Sequence, residues 1–269
     1  MNKFLIDAAV YTDQGKVRGN NEDNFYLKGE YKEDTNVSHM EIECEQPMSD
    51  ETDYLTCAVC DGVGGIAAGE EASLSAVKTL STCDGEAFAD HIEEYYFDAN
   101  REICQMMSGR REGRMGTTAV VLHIKGNMAT IGNIGDSRAY LFRPETGELQ
   151  RLTKDQTRAQ QLIDAGVFTE EEMIGSRQSH ILSQFLGVME DEFIIEPEIK
   201  REIPVKPGDI FLLCSDGLTD MIKDEELLEL LTNHQEEKAM TISKVLGEEA
   251  LNSGGLDNVT VEVLRIRNK

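Results

Sequence analysis

Asp23, Asp61, Asp216 and Asp257 each stand against one end of a strand-like apolar run, and this repetition is the chemically loaded feature of the sequence. Leu55 to Cys60 reads as a buried strand ending in Asp61-Gly62-Val63-Gly64-Gly65, a carboxylate followed by residues that let the backbone turn sharply and approach a ligand closely. Ile210 to Cys214 repeats the arrangement and ends in Ser215-Asp216-Gly217, while Asp23 precedes Phe25-Tyr26-Leu27 and Asp257-Asn258 leads into Val259-Thr260-Val261. A single Asp-Gly is ordinary turn chemistry. If the strand ends meet, however, the mutual repulsion of their carboxylates demands bound cations. Oxygen ligation with no histidine partner selects hard ions, Mg²⁺ or Mn²⁺. Two such ions about 3.5 to 4 Å apart, bridged by one carboxylate, would lower the pKa of a shared water and supply a hydroxide nucleophile. Arg18 lies on the polar stretch before Asp23, where its guanidinium fork would hold a phosphoryl group in line; the other reading of that stretch is a solvated loop with a surface ion pair. The chemistry that follows is phosphomonoester hydrolysis without a covalent intermediate, needing no Ser, Cys or His nucleophile.

The elements that must position these residues are legible in outline. Leu5 to Tyr11 predicts a first strand, and residues 28–53, acidic and weakly patterned, predict a variable loop or ragged hairpin. Ala68, Ala72, Ala76 and Leu80 recur every four residues and predict a helix with a narrow stripe for close packing on a sheet. A second helix is expected from about Ala87 to Met107. Gly116-Thr117-Thr118 opens the strand Ala119 to Ile124, a turn at Lys125-Gly126-Asn127 returns the chain to Ile134, and Gly135-Asp136-Ser137 turns it again into Arg138 to Phe142. This predicts an antiparallel meander with Asp136 at its tip. Residues 152–187 read as a polar, helical excursion over the sheet, with Gly166 as a C-cap and Thr169-x-x-Glu172 as a capping box. Helices are expected at Glu225 to Leu231 and about Glu236 to Leu251, stopped by Gly254-Gly255.

Of the 269 residues, 51 are acidic and 26 basic, a net charge of -25 that argues against nucleic-acid or anionic-membrane binding and favours cations or basic protein surfaces. One domain over residues 1–269 is expected, and no stretch is long and apolar enough to span a bilayer, so a cytoplasmic protein without membrane insertion is the expectation. The cysteines at 44, 57, 60, 83, 104 and 214 lack framework spacing and read as reduced packing residues. Cys57 and Cys60 would point to opposite faces of their strand and so would not chelate one ion. The histidines at 39, 91, 123, 180 and 234 also lack ligand spacing and read as surface or core residues.

The motif order resembles the metal-dependent, type 2C serine/threonine protein phosphatases in their compact bacterial form. It is carried by Arg18-Gly19-Asn20-Asn21-Glu22-Asp23, Asp61-Gly62-Val63-Gly64-Gly65, Gly116-Thr117-Thr118, Ile134-Gly135-Asp136-Ser137-Arg138, Ser215-Asp216-Gly217-Leu218 and Asp257-Asn258-Val259-Thr260. The resemblance implies an α+β fold, a four-layer α-β-β-α sandwich of two antiparallel central sheets flanked by helices, with metals at one end. It implies that Asp61 bridges two Mn²⁺ or Mg²⁺ ions, that the Gly62 carbonyl completes one site, and that Asp216 and Asp257 complete the other. Asp23 would sit in the outer shell, with Glu22 and Asn258 in support, and Asp136 would help Asp216 hold a weaker third ion. Arg18 would bind phosphate. Residues 154–183 correspond to the flap of bacterial members. Val63 stands where relatives carry histidine or methionine, so the general acid has no assigned side chain; Asp155-Gln156-Thr157 and Ser183-Gln184-Phe185 depart from the family's Asp-His-Ser-like and Thr-Arg-Ala-like stretches. The implied substrates are phosphorylated proteins, among them a serine/threonine kinase and its targets, in a signalling role; the sequence does not give the oligomeric state, a monomer being favoured. Two other readings remain at this level, a pseudophosphatase that binds phosphoproteins and a metal hydrolase of small phosphate esters.

Overall fold

The computed structural model describes residues 3–63, 68–108, 114–173, 175–189 and 191–268; Gly64 and Gly65 of the Asp61 motif lie outside them. Two sheets organise the chain. One has the strand order β3 (His39–Met48), β1 (Phe4–Asp13), β11 (Val259–Asn268), β10 (Ile210–Cys214), β7 (Arg138–Arg143) and β8 (Glu148–Arg151). The other runs β2 (Asn24–Leu27), β4 (Tyr54–Cys60), β5 (Ala119–Lys125), β6 (Met128–Ile134) and β9 (Glu198–Pro204). All neighbouring strands pair antiparallel. The α-helices are α1 (Gly69–Cys83), α2 (Ile92–Ser108), α3 (Arg158–Asp164), α4 (Glu170–Met173), α5 (Asp216–Thr219), α6 (Asp224–His234) and α7 (Ala239–Asn252).

The layers follow from alternation along each strand. On β4, Cys57 and Val59 face the opposite sheet, whereas Ala58 and Cys60 face α1 and α2. The two thiols therefore diverge as the period-two geometry requires. On β11, Val259, Val261 and Val263 join α6 and α7 in a third apolar layer. The order is helices, five-stranded sheet, six-stranded sheet, helices, which is the expected sandwich. The small stripe Ala72, Ala76 and Leu80 lets α1 lie close to its sheet.

Two local expectations are corrected. Residues 28–53 contain β3, which pairs with β1 from Asp13↔His39 to Phe4↔Met48. It alternates regularly, with exposed Glu41, Glu43 and Glu45 between half-buried Met40, Ile42 and Cys44, as an edge strand with one face to solvent does. The expected meander also breaks after β6: β5 and β6 form the predicted hairpin, but Gly135-Asp136-Ser137 carries the chain across to the other sheet, where β7 pairs with β8 and β10. A short glycine turn satisfies either connection, and only the partner sheet distinguishes them.

This crossing, together with strand register, brings the acidic residues to one end of the sandwich. Cys60 pairs with Asn24, placing Asp61 and Asp23 side by side beyond the five-stranded sheet. Cys214 pairs with both Arg138 and Val261, placing Asp216 and Asp136 at the corresponding end of the other sheet, near the start of β11 and Asp257.

Candidate active site and metal centre

Asp23 forms the floor of an acidic pit. It is fully buried, and its Oδ2 accepts hydrogen bonds from Ser215 Oγ at 2.8 Å and Thr260 Oγ1 at 2.7 Å. Its Oδ1 is buried with no partner. Burial pushes its carboxyl up to about 6 despite those hydroxyls, with the Asp257 charge adding to the effect. Lys32, itself buried, lies behind the floor; its Nζ donates to Asn21 O at 2.6 Å, and burial pushes its ammonium down to about 8.

Asp61, Asp136, Asp216 and Asp257 line the walls, each partly buried. Desolvation, followed by repulsion from Asp23, Asp216, Asp136 and Asp257, raises Asp61 well above the ordinary carboxylate range. Asp216 is raised likewise by burial and then by Asp136, Asp220 and Asp257. Asp136 is pushed up to about 7, by burial first and Asp155 second. The predicted carboxylates thus converge closely enough to oppose one another's ionisation.

Hydroxyls and backbone amides fix the Asp61 turn. Asp61 O accepts from Thr118 N at 2.9 Å and Thr117 Oγ1 at 2.8 Å, and Asp61 N donates to Thr118 Oγ1 at 3.0 Å. Thr118 Oγ1 also lies 2.7 Å from Ser137 Oγ, linking the Asp61 turn to the Asp136 crossing. Gly62 is required sterically, since a Cβ there would come within 2.6 Å of Glu22 O and of the Gly69 backbone. A Cβ at Gly217, beside Asp216, would meet Asn258 O at 1.9 Å. Both turns are packed backbone against backbone.

Asn258 ties the N-terminal loop to β11. Its Oδ1 accepts from Glu22 N at 2.8 Å, and its Nδ2 donates to Gln14 O and Asn20 O, each at 2.8 Å. Glu22 is raised above its ordinary pKa by burial and then by Glu70. Arg18 stands exposed at the rim, its Nη2 donating to Asp257 Oδ2 at 2.5 Å, and this bond raises its pKa. Gln156, from the stretch that departs from the family pattern, accepts from Gly135 N at 2.8 Å and donates to Glu196 O at 3.0 Å. It braces the Asp136 turn.

The site also contains residues that sequence spacing did not single out. Ser215, Thr118, Ser137 and Thr260 lie inside the recognised motifs, so their hydrogen-bonding roles had a local signal. His180 and Asp220 had none. Among the described residues, His180, Asp216 and Asp220 are a group of potential metal ligands whose donor atoms all lie within 4.8 Å of one another. His180 is exposed, in keeping with the reading of the histidines as surface or core residues, and its Nδ1 lies 3.5 Å from Asp220 Oδ2.

The donor set fits divalent cations: carboxylates concentrated against their own repulsion, with buried Asp23 Oδ1 and Asp216 Oδ1 unpartnered. Antiparallel sheets packed face to face, with such a pit at one end, form an arrangement able to hold divalent cations on oxygen ligands. A family model described as protein phosphatase 2C matches residues 44–250, and the chain belongs to that family. The serine/threonine protein phosphatase PstP of Mycobacterium tuberculosis is 34% identical over 266 residues, covering 97% of this chain and 45% of PstP, so the chain spans about half the length of that relative. The protein phosphatase PhpP of Streptococcus pneumoniae is 32% identical over 273 residues, covering 98% of this chain and 99% of PhpP. The crystal structure of M. tuberculosis PstP/Ppp matches with a TM-score of 0.78 at 32% identity, covering 98% of this chain and 99% of that one. A structure of the PstP catalytic domain in complex with two manganese ions matches with a TM-score of 0.75, also at 32% identity and with 98% and 99% coverage.

Proposed function

We propose that this chain is a metal-dependent phosphatase of phosphoserine and phosphothreonine in proteins. The observation that carries the reading is the acidic pit, in which Asp23, Asp61, Asp136 and Asp216 are held above their ordinary pKa values, by burial first, while Asp23 Oδ1 and Asp216 Oδ1 lack partners. Asp61, the Gly62 carbonyl, Asp216 and Asp257 would hold two Mn²⁺ or Mg²⁺ ions, with Asp23 behind them and Asp136 beside Asp216 for a weaker third. When bound, such ions lower the pKa of water and neutralise phosphoryl charge.

The chain's own groups divide the remaining work. Arg18 at the rim orients the phosphoryl group through its planar fork. Asn258 holds the Glu22 backbone, and Ser215 and Thr260 hold Asp23, so the floor stays fixed while charge at the rim changes. Residues 154–183 serve as a flap whose base Gln156 anchors to Gly135 and Glu196. The net charge of -25 favours targets with basic patches near the phosphorylated residue, a serine/threonine kinase and its substrates being the partner class.

The test is phosphate release from a phosphothreonine peptide by metal-stripped protein titrated with Mn²⁺ and Mg²⁺, with Asp216→Asn in parallel. Metal-dependent turnover is expected, reduced by several orders of magnitude in the variant. Folded, metal-loaded protein that releases no phosphate would sink the enzymatic reading and leave a phosphoprotein-binding role.

A further inference from the structure

We infer that Leu256 and Met221, with Val17 beside them, form an apolar shelf next to Arg18 that receives an apolar residue of the substrate close to its phosphorylated serine or threonine. This rests on the reading of the chain as a phosphatase of phosphoproteins with Arg18 at the phosphoryl group, and it names the class of sequence such a site prefers.

The shelf is built on two loops held backbone to backbone. Lys16 N donates to Gly255 O at 2.8 Å, and Gly15 lies so close to the other loop that a Cβ there would meet Asp257 O at 2.2 Å. Val17 and Leu256 are the next residues along these loops, and each immediately precedes one member of the Arg18–Asp257 pair. Neither is drawn into the core: Val17 is 65% exposed and Leu256 57%. Half-buried Met221 joins them from the turn after α5. Its Sδ and the Leu256 Cγ lie 3.1 and 3.5 Å from the position that a Cβ on Gly254 would occupy, so the two side chains flank one point. Single exposed apolar residues are ordinary on a protein surface. Three gathered at the mouth of an acidic pit, in a chain with a net charge of -25, mark a contact surface.

These residues are one stretch of a continuous rim. Arg18 Nη2 donates to Asp257 Oδ2 at 2.5 Å, Leu256 adjoins Asp257, and Met221 adjoins Asp220, whose Oδ2 lies 3.5 Å from His180 Nδ1 in the excursion between β8 and β9. A peptide whose phosphoryl group is held at Arg18 and whose chain runs toward that excursion crosses Leu256 and Met221 first. An extended peptide advances about 3.3 to 3.6 Å per residue, so the crossing falls to residues one or two positions from the phosphorylated one. Carboxylates bound the shelf at both ends, at Asp257 and Asp220. An acidic side chain is repelled there, whereas an apolar one loses water against Leu256 and Met221. Continuity with the phosphoryl-binding rim makes the substrate the occupant of this surface in preference to a second copy of the chain.

The experiment measures kcat/KM at saturating Mn²⁺ for phosphothreonine peptides that differ only in carrying leucine or serine at the two positions on either side of the phosphothreonine. p-Nitrophenyl phosphate, which has no flanking residues, is measured alongside. Wild type is expected to prefer leucine on one side by roughly 5- to 20-fold, a modest ratio because the shelf is open to solvent. Leu256→Ser and Met221→Ser should each bring the ratio close to one, Val17→Ser should lower it, and Leu256→Met should keep it. Because the readout is a ratio within one preparation, changes in folded fraction or metal affinity cancel. No leucine preference in wild type, a preference that survives both Leu256→Ser and Met221→Ser, or an equal loss on leucine and serine peptides overturns the shelf. A dimer seen by light scattering in wild type and lost in Leu256→Ser, with the peptide ratio unchanged, assigns the surface to a second copy and overturns it as well. Release from p-nitrophenyl phosphate without any peptide preference overturns the shelf alone, whereas no metal-dependent release from any of these substrates overturns the phosphatase reading and the shelf with it.

Discussion

Arg18 and Asp23 illustrate two ways of managing charge at one site. Asp23 is buried and held by neutral hydroxyls, so its position is fixed independently of solvent. Arg18 is exposed and pairs with Asp257, so its guanidinium is available at low cost, surface ion pairs being weak. Arg18→Ala should raise KM for a phosphopeptide by roughly 10- to 100-fold, the equivalent of one charge-assisted hydrogen bond, with a smaller effect on kcat. Steady-state kinetics at saturating Mn²⁺ measures this, and an unchanged KM removes Arg18 from phosphate binding. The aspartates were legible because each abuts an apolar run that names its own strand end. His180 was not, because it meets Asp216 and Asp220 through the packing of a polar excursion whose placement leaves no periodic trace.

At the scale of elements, β11 contains the clearest conflict between local pattern and environment. Glu262 alternates with Val261 and Val263, which would mark a solvent-facing position on a one-sided sheet, but this sheet is covered on both faces. Its cross-strand neighbours are Val10 and Leu213, both in the apolar layer between the sheets. Glu262 is 0% exposed, and burial raises its pKa well above the ordinary value, offset only in part by the Cys57 thiol and the Ala58 amide. Because the folded chain holds this proton more tightly than the unfolded chain, the favourable contribution is complete below about pH 4.5 and is lost as pH rises through the folded pKa. Glu262→Leu should stabilise the protein at pH 8 by about 1 to 3 kcal/mol, with a smaller gain at pH 5. Urea unfolding at both pH values provides the comparison, and a less stable variant at pH 8 would contradict the burial argument. The same scale shows what sequence pattern does carry. Thr169 and Glu172 form the predicted capping box, Thr169 N donating to Glu172 Oε2 at 2.8 Å and Glu172 N to Thr169 Oγ1 at 3.3 Å. That motif is contained within four residues, whereas the pairing of β3 with β1 and the sheet crossing after β6 are decided by distant strands.

For the whole molecule, the acidic pit is one region of a chain whose charge is -25 throughout. Folding gathers Asp23, Asp61, Asp136 and Asp216 against that background and raises all of their pKa values, by burial first. Without divalent cations, each such carboxyl binds its proton more tightly in the fold than in the unfolded chain, so stability is greatest while the groups remain protonated and falls as pH rises through about 6 and 7 for Asp23 and Asp136. Metal-stripped protein should therefore melt at a higher temperature at pH 6 than at pH 8. Mn²⁺ should reverse the order, because protons compete with the ion for the same oxygens and deprotonation becomes favourable when charge is neutralised by the metal. At 100 times Kd, one site contributes about 2.7 kcal/mol. For a chain of this size that corresponds to a Tm increase of roughly 5 to 10 °C at pH 8, less at pH 6. Differential scanning calorimetry with chelator and with Mn²⁺ at the two pH values resolves both signs. A metal-stripped protein more stable at pH 8 than at pH 6 would mean that the carboxylates are already neutralised by protein cations such as Arg18 and Lys32, and that the fold does not depend on divalent ions to hold its acidic end together.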